Sequence, residues 1–304
     1  MIYTDKVKMI LNKYENTNAG IKANLAKILM NGKLGGTGHL LILPVDQGHE
    51  HGPDKSFMVN PDAYDPLYHY EIALDAGLSA YAAPLGFLEA GAESFAGQIP
   101  TILKINSSNS LIPLKNQSKN GTVKEALRLG CVAIGFTIYP GSEYQYEMIE
   151  EFKEISLEAS EYGLASVLWS YPRGPNIDKE AETSIDTISY AAHIAALLGA
   201  HIIKVKPPTS IIADKSLEKN YKNFGLDTES LSERINHIKK CAFNSRKIVV
   251  FSGGNAKNDK EILQEIKQIK EGGGNGSIIG RNTFQRPRKE ALELLENIIN
   301  IYKN

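Results

Sequence analysis

Eight short apolar runs, separated by segments with helical period, constrain this chain more than any other feature. They are 40–46 (LLILPVD), 79–85 (SAYAAPL), 101–106 (TILKIN), 131–139 (CVAIGFTIY), 165–171 (ASVLWSY), 201–207 (HIIKVKP), 247–254 (KIVVFSGG) and 277–282 (SIIGRN). Most are rich in Ile, Val or aromatics, and each has Gly, Pro, Ser or Asn within two residues of its end, as buried parallel strands do. Between them, Met148, Phe152, Ile155, Ala159 and Tyr162 form an apolar helical stripe, repeated by Ile262/Leu263, Ile266, Ile269 and by Leu294/Leu295, Ile298, Tyr302. Eight strands alternating with helices over roughly 265 residues predict an α/β fold, a single (β/α)8 TIM barrel. An open doubly wound sheet is the competitor, weakened because no glycine-rich dinucleotide fingerprint follows the first strand. Residues 1–38 read as an N-terminal helical arm, helical to about Lys33, and 39–304 as the barrel. The polar stretch 208–230, between the sixth strand and its helix, is the one unusually long connection.

The 304 residues carry 34 Lys+Arg against 35 Asp+Glu, so a broad phosphate-tracking surface for nucleic acid is not expected. Cys131 and Cys241 are too few for a disulfide framework or a thiolate zinc site, and Cys131, opening its strand, reads as a small buried hydrophobe. The N-terminus lacks an apolar signal core, and the most apolar stretch, 191–203, is short and holds His193 and His201. A cytoplasmic protein without membrane association is expected.

Function emerges from strand parity. Alternate residues of a barrel strand point inward, and barrel sites lie at the C-terminal mouth. The inward set is Ile42, Pro44, Asp46 on the first strand and Ile102, Lys104, Asn106 on the third. On the fifth it is Val167, Trp169, Tyr171, Arg173, and on the sixth Ile202, Lys204, Lys206. One lysine near a strand end is ordinarily solvated. Four strands ending in inward polar groups are not what a structural core uses, because each buried charge is costly unless paired. Close lysines depress one another's pKa and leave neutral amine for attack on a carbonyl, which is Schiff-base chemistry. Parity alone does not choose between Lys204 and Lys206. On the loops after strands seven and eight, Ser252-Gly253-Gly254 and Gly280-Arg281 combine bare amides with an arginine, as barrel phosphate sites do. His49 and His51 form a His-x-His pair, but a lysine pair activates a carbonyl without metal, so His51 is read as a substrate hydrogen-bonding group.

LPVDQGHEHG, LKIN, VLWSYPRG, IIKVK, SGG and IIGRN, in this order, resemble the DhnA-type class I fructose-bisphosphate aldolases of archaea and bacteria. The likeness spans residues 34–284 and is closest to the bacterial-type branch, which carries a similar N-terminal extension. It implies a (β/α)8 barrel that uses no metal or other cofactor, binds a small-molecule sugar phosphate and assembles as a homo-oligomer, an octamer or decamer. It implies Lys204 as the Schiff-base lysine, Tyr171 as general acid/base with Trp169 shaping the site, Asp46 handling hydroxyls and proton transfer, and Lys104 near the imine. It implies that Ser252, Gly253, Gly254, Gly280 and Arg281 bind the phosphate of the dihydroxyacetone half, and Arg173 the other phosphate. Pro207-Pro208 departs from the tyrosine-containing turn of many archaeal members. The same lysine serves amino-dideoxy-heptulosonate synthase-type aldolases and an autoinducer-2 phosphate thiolase, and a silent sugar-phosphate-binding scaffold is the non-enzymatic alternative.

Overall fold

The structure is a computed structural model that describes residues 2–15, 17–252 and 258–304. Eight parallel strands close into a barrel: β1 (Leu40–Pro44), β2 (Ala80–Ala83), β3 (Thr101–Lys104), β4 (Ala133–Ile138), β5 (Ala165–Ser170), β6 (Ile202–Val205), β7 (Ile248–Ser252) and β8 (Gly276–Ile278). Each pairs with its neighbour in chain order, and β8 returns to β1. The closing seam is tight. At Gly276, whose φ is +138°, an added Cβ would lie 1.9 Å from the Leu40 carbonyl oxygen, so no larger residue fits.

Parity divides the apolar residues as the strand pattern predicts. Leu41, Leu43, Leu103, Ile134, Phe136, Leu168, Ile203, Val249 and Phe251 face outward, into the layer made by the surrounding helices. Ile42, Ala80, Ile102, Ala133, Val167, Ile202 and Val250 face the interior. The stripe Met148, Phe152, Ile155, Ala159 is buried on the helix Gln145–Glu161, but Tyr162 lies past its end and is exposed. The stretch 208–230 is not structureless: it holds a turn at Lys215–Leu217 and a helix at Glu218–Phe224.

The arm is two helices, not one: α1 (Asp5–Leu11), capped by Thr4, and α2 (Ala19–Met30), capped by Asn18. Side-chain oxygens at both caps accept backbone N–H groups, so Asn18 starts a second helix within the helical arm. Val7, Leu11, Tyr14, Ile21, Leu25 and Ile28 pack into the same cluster as the barrel's interior residues, plugging its N-terminal end. Tyr14 pins the plug: its hydroxyl donates to the His201 carbonyl at 2.5 Å and accepts from the Ile248 amide at 2.9 Å. None of the described helices is long and apolar enough to cross a membrane.

Candidate active site

The barrel's other end is open. A cavity of about 580 Å³ occupies the mouth, and its walls include Asp46, Glu50, His51, Trp169, Tyr171, Arg173, Lys204, Ser252, Gly280 and Arg281. Asp46, Tyr171 and Arg173 lie just beyond the ends of their strands, yet all reach it. At β1 the cause is local. Pro44 ends the ladder, and Asp46 is the N-cap of the short helix Gln47–His51, which turns the chain across the mouth.

Lys204 is buried, and its Nζ lies 5.1 Å from the Trp169 ring centroid and 5.7 Å from that of Tyr171. Among the described residues it makes no side-chain hydrogen bond. Burial pushes its pKa down to about 8; Asp46 and Glu50 oppose that, while Lys104 and Arg281 add to it. The result is an amine with a substantial neutral fraction near physiological pH, opening onto a cavity.

Lys104 differs. It too is buried and brought down to about 8 by burial, but it is not part of the cavity wall. Its Nζ donates to the side-chain oxygen of Asn106 at 2.9 Å and to the Asn106 carbonyl, and sits 5.7 Å from the Trp169 ring centroid. Asn106 is itself locked to β4, accepting from the Thr137 amide at 2.7 Å and donating to its carbonyl at 2.8 Å. Gly135 makes room for this packing. A Cβ there would stand 2.7 Å from Trp169 Cζ3 and 3.4 Å from Lys104 Cδ.

The Tyr171 phenol is held well above its usual pKa, first by burial and then by the charges of Asp46 and Glu50, against a hydrogen bond with Ser252. It is therefore protonated at neutral pH. Burial and the nearby Asp46 also raise the Glu50 carboxyl, while burial and the charges of Arg281, Lys55 and Arg173 lower His51. The His-x-His pair diverges in its contacts: His49 Nδ1 meets the Ser108 carbonyl at 3.1 Å, while His51 Nε2 lies 3.6 Å from Glu50. No group of three or more His, Cys, Asp or Glu suited to a metal ion occurs among the described residues.

Gly280 begins the turn into the helix Arg281–Phe284, and a Cβ on it would lie 2.7 Å from the Pro44 carbonyl oxygen. The β8 turn is thus pressed against the end of β1, with Ser252 and Arg281 on the same cavity. Gly253 and Gly254 lie outside the described residues. Lys206, the second inward lysine of β6, is tied to Glu182 at 3.0 Å, and Glu182 also receives Lys179 at 2.9 Å. Glu50, Glu182 and Tyr139 escaped the sequence reading. Parity applied to β4 (Ala133, Gly135, Thr137, Tyr139) finds Tyr139, whereas no pattern marks Glu182, which comes from a long loop.

A family model described as DeoC/LacD family aldolase matches residues 40–286. The chain belongs to this aldolase family. It is 36% identical, over 98% of its length and 88% of the relative's, to the probable fructose-bisphosphate aldolase class 1 of Chlamydia trachomatis. It is 35% identical to the fructose-bisphosphate aldolase class 1 of Thermoproteus tenax, over 82% of this chain and 84% of that one. Among solved structures, an archaeal fructose-1,6-bisphosphate aldolase with its catalytic Lys bound to the carbinolamine intermediate of the substrate is 30% identical. It superposes with a TM-score of 0.75, covering 97% of this aldolase-family chain and 100% of its own.

Proposed function

We propose that this chain is a class I fructose-bisphosphate aldolase, cleaving fructose 1,6-bisphosphate reversibly into dihydroxyacetone phosphate and glyceraldehyde 3-phosphate through an imine at Lys204. The observation that carries this reading is Lys204 itself: a buried amine with a lowered pKa, facing a cavity beside a protonated phenol and two carboxylates. The neutral amine attacks the C2 ketone and forms a carbinolamine, its proton passing to the new hydroxyl through Asp46. Tyr171 gives its proton to that hydroxyl, and water leaves. The products of this step are a protonated imine and a phenolate. The negative charges of Asp46 and Glu50, which already favour the charged form of Lys204, stabilise the cation. The phenolate then takes the C4 hydroxyl proton while the C3–C4 electrons flow into the imine, leaving an enamine and regenerating Tyr171.

Ser252, Gly280 and Arg281, with Gly253 and Gly254, hold the C1 phosphate, and Arg173 the C6 phosphate; His51 hydrogen-bonds the substrate, Trp169 shapes the pocket, and Lys104 sustains the low pKa of Lys204. Anchoring both phosphates converts remote binding energy into orientation of the reacting carbons. Residues 1–38 and 39–304 act as one unit, because the arm completes the barrel's interior. We place the enzyme in the cytoplasm as an octamer or decamer. The exposed Leu157, Tyr190 and Leu197 supply apolar surface for subunit contact, which light scattering tests.

Borohydride added with dihydroxyacetone phosphate should inactivate the protein and add the reduced ligand's mass to the peptide holding Lys204. Labelling of Lys206 would move the imine, and no labelling would end the reading. Steady-state turnover of fructose 1,6-bisphosphate, set against the heptulosonate-forming and thiolase substrates, separates this activity from its sisters and from a silent scaffold.

A further inference from the structure

Tyr139 follows β4 directly, is buried, and is not part of the mouth cavity's wall. Its hydroxyl meets three side chains: Gln117 Nε2 donates to it at 2.6 Å, Arg173 Nη1 donates at 3.0 Å, and Ser108 Oγ lies at 3.1 Å. A phenol has two lone pairs and one proton. With Gln117 and Arg173 as donors both lone pairs are used, so the proton goes to Ser108 Oγ. The Arg173 guanidinium carbon also sits 4.7 Å from the centre of the Tyr139 ring.

Ser108 and Gln117 are the next residues inward along the two arms of a hairpin whose paired part is Asn106–Ser107 with Ser118–Lys119. Both arms therefore converge on one phenol. Residues 109–116 arch beyond it, held further by the Ser142 hydroxyl on the Lys115 carbonyl. Arg173, in contrast to Lys206 and Lys179, which share Glu182, forms no ion pair among the described residues, and it faces the cavity. A guanidinium held by a neutral phenol keeps its full charge for an anion, where a carboxylate partner would compete with it.

We infer that Tyr139 is a positioning residue: it holds Arg173 in place for the substrate phosphate remote from Lys204, and so makes the preference for a bisphosphate depend on the 106–119 hairpin. The inference rests on the assignment of Arg173 to that phosphate.

The experiment compares fructose 1,6-bisphosphate with fructose 1-phosphate, which lacks the remote phosphate. Tyr139→Phe keeps the ring and removes the hub oxygen. Loss of one charged hydrogen bond is expected to lower kcat/KM for the bisphosphate about 10-fold, chiefly through KM. Turnover of fructose 1-phosphate should stay within about 2-fold of wild type. In an Arg173→Ala background, Tyr139→Phe should add no further loss, because the residues act as a unit. Equal losses on both substrates, an unchanged preference, or additive losses in the double variant would overturn the inference. Should Tyr139→Phe fail to fold, Gln117→Met removes one donor and leaves the phenol, and a loss of about 3-fold confined to the bisphosphate is expected. Wild-type protein that cleaves neither sugar phosphate would overturn the aldolase reading and this inference with it, whereas an active wild type with an unmoved preference overturns the positioning role alone.

Discussion

Lys239 and Lys204 are both buried lysines, one beneath the barrel and one at its mouth. Burial lowers both, Lys239 to about 7 with the nearby Lys13 adding to it and Lys204 to about 8. Their surroundings differ. Lys239 donates to the Lys247 carbonyl at 3.0 Å and to the Asn275 side-chain oxygen, bracing the starts of β7 and β8. Lys204 makes no side-chain hydrogen bond among the described residues and opens onto the cavity. A lowered pKa therefore marks burial. A nucleophile also needs a lone pair that faces space a substrate can enter.

Exchanging both lysines tests this contrast most severely. Lys204→Met should lower kcat by more than about 10⁴-fold, beyond what one general acid or base contributes. Lys239→Met should leave kcat within about 2-fold but lose roughly 1–3 kcal/mol of stability, because the Lys247 carbonyl loses the ammonium and the Asn275 side-chain oxygen is left with the Val249 amide. Comparable catalytic losses in the two variants would erase the distinction. Turnover and denaturant midpoints measured on both proteins decide it.

Tyr171→Phe comes next in size. The ring keeps its place beside Lys204 while the proton carrier is gone, so kcat should fall on the order of 10²–10⁴-fold with KM little changed. A variant turning over near the wild-type rate would move the proton to Asp46 or water.

Arg281→Ala sharpens the picture of the mouth as a place for anions. A charged hydrogen bond contributes roughly 1.5–3 kcal/mol, which predicts a loss of about 10- to 150-fold in kcat/KM for fructose 1,6-bisphosphate. Fructose 6-phosphate, lacking the C1 phosphate, should lose much less. Equal fractional losses would show that Arg281 acts through the fold.

The mildest test is the pH profile. The attacking amine must be neutral, and burial has brought its pKa down to about 8, so kcat/KM should climb with pH through that region and level off above it. Because Lys104 contributes to the depression, Lys104→Met should shift the rise upward by less than about one pH unit. An unmoved profile would leave Lys104 a role in packing against Trp169 only.

Much of this site is legible in the amino-acid sequence. Parity on β1, β5 and β6 brought Asp46, Tyr171, Arg173 and Lys204 to one cavity, because a period of two survives even where a ladder ends one to three residues early. Lys104 shows where parity stops. It shares the inner face with Lys204, yet Asn106 holds it out of the cavity wall, and that depends on a neighbour's hydrogen bonds. The pairing of Lys206 with Glu182 was equally hidden, since the carboxylate comes from a loop 24 residues away in sequence.

The sequence by itself determined the eight-stranded barrel, its inward and outward faces and the segments that reach the mouth. These follow from local periodicity and from the geometry of short β–α connections. Only the tertiary structure decided that the arm plugs the base, that Gly135 makes room for Trp169, that Tyr139 joins a hairpin to Arg173, and which of the buried lysines makes no side-chain hydrogen bond among the described residues. Those outcomes depend on contacts between residues far apart in the chain, where side-chain volume and hydrogen-bond partners choose among arrangements that share one pattern.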